Sequence, residues 1–154
     1  MSTPRVSYDD FRALAPAAYA GLVGLGKVTH EAGLADDLAE LVKVRASQIN
    51  GCAFCLQLHL TRARALGVAP VKLDLVAVWR EAGVFTPREA AALAWTEALT
   101  QLGDEAAIQE AWSQVSAQFS EAHAAALSVA IGVINAWNRI AGPLRFTPLV
   151  EGRR

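Results

Sequence analysis

Ser47–His59 reads SQINGCAFCLQLH, the one place where an otherwise continuous helical pattern carries a turn signal between two helices and also holds both cysteines of the chain. Asn50-Gly51 predicts the end of one helix, because glycine accepts the left-handed backbone that closes helices. Cys52 then falls in the first turn of the next helix. There, unpaired N–H groups and the positive end of the helix dipole favour a thiolate over a thiol. Cys52, Cys55 and His59 are spaced i, i+3 and i+7, so they share one helix face. Two thiols on adjacent turns lie within reach of a disulfide. The stretch therefore predicts a pair able to cycle between dithiol and disulfide.

Working outward, Asp36-Asp37 opens a helix to Ile49. Leu38, Leu41, Val42, Ala46 and Ile49 form one apolar stripe, and Glu40, Val44 and Ser47 share the opposite face, so both sides are expected to be partly covered. Arg45 falls within the apolar stripe and needs an acid or carbonyl partner, or a route to solvent. The CxxC helix runs from Cys52 to Leu66 and stops at Gly67, ahead of Pro70; Phe54, Leu58 and Ala65 give it a second apolar face. Upstream, Ser7 caps a helix that Pro16 interrupts and that continues to about Glu31, with Gly21, Gly24 and Gly26 predicting close helix packing. Downstream come a helix from Leu73 to Trp79 ending near Gly83, and one to Leu102 opened by the capping box Thr86-Pro87-Arg88-Glu89. Asp104 opens the next, to about Phe119. Ser120 caps the last, to about Ile140, with Gly142-Pro143 as its stop. Residues 1–6 read as a loose lead and RFTPLVEGRR (145–154) as an extended tail. With no alternating strand pattern and no repeat, the expectation is an all-α fold: one domain over 1–154, core about 12–142, six to eight helices.

Composition narrows the function classes. Of 154 residues, 53% are apolar and 19% charged, which excludes disorder of the whole chain. The net charge is -1 and the arginines are scattered among acids, so nucleic-acid binding has no electrostatic support. MSTPRVSYDDF has no apolar leader core and no uncharged apolar run is long enough to span a bilayer, so neither membrane insertion nor export is expected and a cytoplasmic location is. In a reducing compartment a CxxC pair is redox-active or metal-binding rather than structural. Helices apolar on two faces, in a chain of low charge, predict a homo-oligomer.

His59, one turn after Cys55, is placed to accept or return its proton directly or through one water. Glu40 precedes Cys52 by twelve positions. His30 and His123 read as structural, and Asn135, Trp137, Asn138 and Arg139 as packing and polar caps at a helix end or subunit contact. The pattern Glu40…Cys52-Ala53-Phe54-Cys55…His59, with LVKVRASQINGCAFC, WREAGVFTPREAAALAW and INAWNR around it, resembles the AhpD-like alkylhydroperoxidases of the carboxymuconolactone decarboxylase superfamily.

That resemblance implies an all-helical oligomer, a trimer or hexamer, in which a dithiol reduces a small hydroperoxide for antioxidant defence without a cofactor or metal. Carried over, Cys55 is the peroxidatic thiol, Cys52 the resolving one, and Glu40 and His59 the proton relay, with an unidentified dithiol as reductant. The helix-terminus argument taken alone makes Cys52 the lower-pKa thiol; Cys55 is assigned by the closeness of His59 and by the resemblance. The founding enzymes are longer and carry a histidine immediately before the second cysteine, where this chain has Phe54. The decarboxylase branch lacks the CxxC pair, so its lactone chemistry is not carried over. The alternatives are a CxxC disulfide reductase or redox sensor, and a metal-binding protein holding a borderline metal with Cys52, Cys55, His59 and Glu40.

Overall fold

The caps legible in the sequence set most of the element ends. A computed structural model of the chain describes residues 3–149. Its helices are α1 (Tyr8–Leu14), α2 (Pro16–Leu25), α3 (Val28–Glu31), α4 (Asp36–Ile49), α5 (Ala53–Ala65), α6 (Pro70–Leu75), α7 (Trp79–Ala82), α8 (Pro87–Gln101), α9 (Glu105–Gln118) and α10 (Glu121–Leu144). No strand occurs among the described residues, and eight of these helices are six residues or longer. Ser7, Asp104 and Ser120 each accept a backbone N–H as N-caps, and Thr86 with Glu89 completes the capping box.

Several boundaries differ from expectation, each for a physical reason. The helix expected to run from Pro16 to Glu31 breaks at Gly26-Lys27, where the Gly26 N–H bonds back to Leu22. Gly21 and Gly24 are not packing glycines, since a side chain at either would meet nothing within 4 Å. The segment from Pro70 to Ala82 is two short helices joined by a 3-10 turn at Val76–Val78, closed by left-handed Gly83. Helix α10 does not stop before Gly142-Pro143 but carries Pro143 in its last turn. The lead explains this: the N–H groups of Arg5 and Val6 bond the Leu144 carbonyl, and the Arg5 guanidinium bonds that of Pro143. The lead is thus a C-terminal cap for α10 rather than loose chain. Of the expected tail, Arg145–Leu149 is described, and residues 150–154 lie outside the described residues, as do residues 1–2.

Helix α4 is the axis of the molecule and packs against α5, α8 and α10. It is buried on both faces as expected: Leu41, Val42 and Ala46 on one, Glu40, Val44 and Ser47 on the other. The main core gathers Leu41, Val42, Leu93, Leu127 and Ile131, and a smaller one holds both cysteines with Phe54, Ile134, Ala141 and Phe146. Phe54 is wedged between Tyr8 and Phe146, with ring centroids 5.3 and 5.4 Å away. By length and composition α10 is apolar enough to cross a membrane, but 56% of its apolar window is buried against the other helices.

Arg45 finds its partner in Glu97 of α8, with Nε and Nη2 each 2.8 Å from Oε1. Glu97 also accepts from Trp79 Nε1 at 2.9 Å and from Arg80. Burial alone would raise the Glu97 pKa, but bonds from Trp79, Arg80 and Arg45 outweigh it and hold the carboxyl below its ordinary value. One carboxylate thus ties α4, α7 and α8 together. Replacing Glu97 by Ala leaves the mostly buried Arg45 guanidinium without its carboxylate, bonded only to Gln48, and the Trp79 indole N–H unpaired, and is expected to cost about 3 kcal/mol of unfolding free energy. The check is a lower denaturant midpoint at unchanged slope; an unchanged midpoint would show that solvent serves Arg45 equally well.

Candidate active site

Gly51 has φ 64°, a left-handed conformation that a side chain would strain, and it turns the chain from α4 into α5. Cys52 is the N-cap of α5, one residue earlier in its role than expected, since the helix begins at Ala53. Its sulfur accepts the Cys55 N–H at 3.3 Å. Both thiols are almost fully buried, at 1% and 2% exposure, and both are unbridged. The Cys52 pKa is brought down to about 7, chiefly because the Cys55 S–H donates to it; burial opposes this, and the Cys55 N–H and the Asn138 amide assist. Cys55 is pushed far up, because it holds that shared proton and is buried beside the Cys52 charge. The pair loses its first proton near neutrality, and the charge settles on Cys52.

Across the hairpin, Glu40 lies ten residues before Asn50 and His59 nine after it, so antiparallel packing of α4 on α5 makes them neighbours. Glu40 Oε2 is 2.7 Å from His59 Nδ1, and Glu40 Oε1 accepts from Lys43 Nζ at 2.7 Å. Both residues are buried, and each has a hydrogen-bond partner in the other. Burial pushes the His59 pKa below 6.5, more strongly than Glu40 pulls it up. Burial would raise Glu40, but the bond and charge of His59, with Lys43, hold it below 4.5. Near neutral pH, Glu40 is therefore a carboxylate and His59 a neutral imidazole whose Nδ1–H donates to it. Nε2 is left as the proton acceptor. Among the described residues His59 makes no hydrogen bond to either sulfur, so a proton passing between Cys55 and Nε2 crosses through a water or the reacting molecule.

The two asparagines of INAWNR, set aside from the sequence as packing and caps, belong to this site. Asn50 Nδ2 donates to Oδ1 of both Asn135 and Asn138 at 2.9 Å, and Asn138 Nδ2 donates to Ser47 Oγ at 3.2 Å. Asn135 is held in turn by Arg139 at 2.7 Å and bonds Thr100 at 3.0 Å. This network fixes α10 to the α4–α5 turn and brings the Asn138 amide beside both sulfurs, where it favours their charged forms. The available signal was an i, i+3 pair of amides on an apolar helix, since buried amides require partners. His30 is exposed beside Asp36, and His123 bonds the Ala32 carbonyl at 3.0 Å, both in structural positions.

Two cavities lie by these residues, the first lined by Cys52 and the second by His59 but by neither cysteine. One, of about 530 Å3, is lined by Cys52, Phe54, Ala141, Arg145 and Phe146, with the lead and tail forming its rim. The other, of about 340 Å3, is lined by His59, Leu58, Ile134 and Trp137, with Phe54 as the wall common to both. No three His, Cys, Asp or Glu side chains gather in metal-binding geometry among the described residues, so the reading of Cys52, Cys55, His59 and Glu40 as a ligand set finds no geometric support.

The shared proton has a measurable signature. Alkylation by iodoacetamide is expected to rise with pH through a midpoint near 7, because thiolate forms as pH passes the Cys52 value, with the label on Cys52. Cys55→Ala, which removes the S–H donor, and Asn138→Ala should each move that midpoint upward. A midpoint left in place by both would refute the shared-proton description.

Comparison with known proteins places the chain in a family. Residues 16–98 match the carboxymuconolactone decarboxylase family. The uncharacterized protein YdfG of Bacillus subtilis is 32% identical over 136 residues, covering 88% of this chain and 90% of its own. A crystal structure from Agrobacterium tumefaciens, of a protein of unknown function provisionally ascribed to AhpD antioxidant defence, is 36% identical with a TM-score of 0.88, covering 97% of this chain and 100% of that one. An alkylhydroperoxidase AhpD core from Ralstonia eutropha, an uncharacterized peroxidase-related protein, shares the fold at 20% identity and a TM-score of 0.76, covering 97% of this chain and 78% of its own. An all-helical core, a CxxC at a helix N-terminus, and this breadth of sequence and structural likeness make the chain a member of the carboxymuconolactone decarboxylase family, of the AhpD-like kind.

Proposed function

We propose that the chain is a dithiol peroxidase that reduces small hydroperoxides. The observation that carries this reading is the capped Cys52–Cys55 pair with one shared proton, beside a buried His59 whose free Nε2 is a base at neutral pH. In the proposed cycle His59 takes the Cys55 proton as the sulfur attacks the terminal peroxide oxygen. The S–O bond forms, the O–O bond breaks, and the proton passes from His59 to the departing alkoxide, giving the alcohol. Cys55 is now a sulfenic acid. Cys52, already a thiolate, attacks its sulfur and expels hydroxide, which takes up a proton from solvent to become water. A dithiol reductant, attacking at the cavity that Cys52 lines, would return the disulfide to two thiols and itself be oxidised.

One observation favours the reverse order. Cys52 is the thiolate of the resting pair and lines a cavity, so it is the sulfur a peroxide entering there would meet. Trapping separates the two. With Cys55 attacked first, Cys52→Ser reacts with one equivalent of peroxide and stops at a sulfenic acid that dimedone captures, while Cys55→Ser reacts at least tenfold more slowly. The opposite pattern reverses the roles, and failure of both, with wild type forming no disulfide, refutes peroxidase activity.

The reading extends to assembly and location. Helix α2 buries none of its residues, and Leu14, Val23, Leu25 and Val129 leave apolar side chains exposed along α1, α2 and α10. This supports a homo-oligomer, a trimer or hexamer as the family likeness implies, working in the cytoplasm, where thiols stay reduced. Light scattering at micromolar concentration is expected to give a multiple of 16.4 kDa; the monomer mass would overturn this.

A further inference from the structure

The cavity at His59 is polarised in a way that peroxide reduction alone does not explain. Its lining combines apolar and aromatic side chains, Val23, Leu58, Ile134 and Trp137, with three cations, Lys27, Lys43 and Arg62, and no Asp or Glu lines it. Lys43 is neutralised by Glu40 at 2.7 Å. Lys27 and Arg62 are exposed and have no carboxylate within ion-pair distance among the described residues. In a chain whose net charge is -1, this is a local excess of positive charge facing an apolar recess. Tyr8 and Tyr19, hydroxyl to hydroxyl at 3.1 Å, add neutral donors to the lining. Burial and that bond push the Tyr8 pKa up to about 12, so it brings no competing negative charge.

Hydrogen peroxide needs neither the recess nor the cations. An apolar body with an anionic end uses both, and about 340 Å3 lies at the small end of ligand pockets, suited to a short chain or a single ring. We propose that this cavity binds a small amphipathic carboxylic acid, its carboxylate on Arg62 and Lys27 and its apolar body on Leu58, Ile134 and Trp137. The preferred peroxide is then a hydroperoxide of such an acid. The recess places it against the side chains that pack around the dithiol, since Tyr8, Phe54, Leu58, Ile134 and Trp137 belong to the same apolar cluster as Cys52 and Cys55. The substrate part of this inference rests on the peroxidase reading; the binding part does not.

Calorimetry with octanoate and octanamide, two probes of like shape that differ in charge, tests binding on the whole chain. Octanoate is expected to bind at least tenfold tighter, and added salt should erode the difference, because the two cations are exposed. The Lys27→Gln/Arg62→Gln double variant should lose at least fivefold of that preference. Arg64→Gln, which removes one positive charge two residues from Arg62 on α5, should keep it. Equal affinity for the two probes, or a preference that survives the double variant, overturns the assignment. For turnover, kcat/KM for 8-hydroperoxyoctanoate should exceed that for its methyl ester tenfold in wild type, and the ratio should collapse in the double variant. Octanoate binding without turnover of any peroxide would overturn the peroxidase reading and uphold the pocket. Turnover of hydrogen peroxide with a ratio of one would overturn the pocket's role in substrate choice and uphold the peroxidase.

Discussion

The left-handed turn at Gly51 is the constraint on which the site depends. By ending α4 and starting α5 it does two things at once: it makes Cys52 an N-cap, and it folds the two helices antiparallel so that positions about equally far from the turn become neighbours. The twelve-residue interval from Glu40 to Cys52 is the first half of that hairpin, and the seven-residue interval from Cys52 to His59 begins the second. A residue added to either arm would rotate Glu40 or His59 by about 100° away from its partner. The spacing follows from helix geometry and needs no other explanation.

The electrostatics of the hairpin divide along its length. At the turn, a helix terminus, a neighbouring S–H and an amide from α10 all favour negative charge on sulfur. One to two turns further along, burial strips His59 of its proton, and an ionised Glu40 fixes which nitrogen stays protonated. In the proposed cycle the first place would supply a nucleophile and the second a base, and neither perturbation would occur at the surface. Phe54 lies between the two cavities, held by Tyr8 and Phe146. Its buried ring offers no group for proton transfer.

Much of this was legible in the sequence because it is local. Ser7, Thr86, Glu89, Asp104 and Ser120 announce helix starts through bonds to residues two or three positions away, and Glu40, Cys52, Cys55 and His59 follow one hairpin's periodicity. What was not legible is what depends on distant chain. Arg45 needs a partner, but nothing local says that it is Glu97, fifty-two residues on. Asn138 reads as a helix-end amide until α10 is laid against the α4–α5 turn. Pro143 reads as a stop because its local cost is visible, whereas the compensation comes from Arg5 and Val6 at the opposite end of the chain. The glycines of α2 misled in the other direction: low helix propensity suggested close packing, but the structure leaves open space at Gly21 and Gly24.

The Asn50–Asn138 bond joins residues separated by 88 positions, and the cavity beside Cys52 is rimmed by chain from both ends. On a ribosome, α4 and α5 emerge and can pair long before α10 exists, so the nascent hairpin holds two cysteines lacking one of the groups that sharpen their acidity. Only the Asn138 share of that acidity waits for the last long helix to dock; the larger share, from the Cys55 S–H, is already encoded within the hairpin itself.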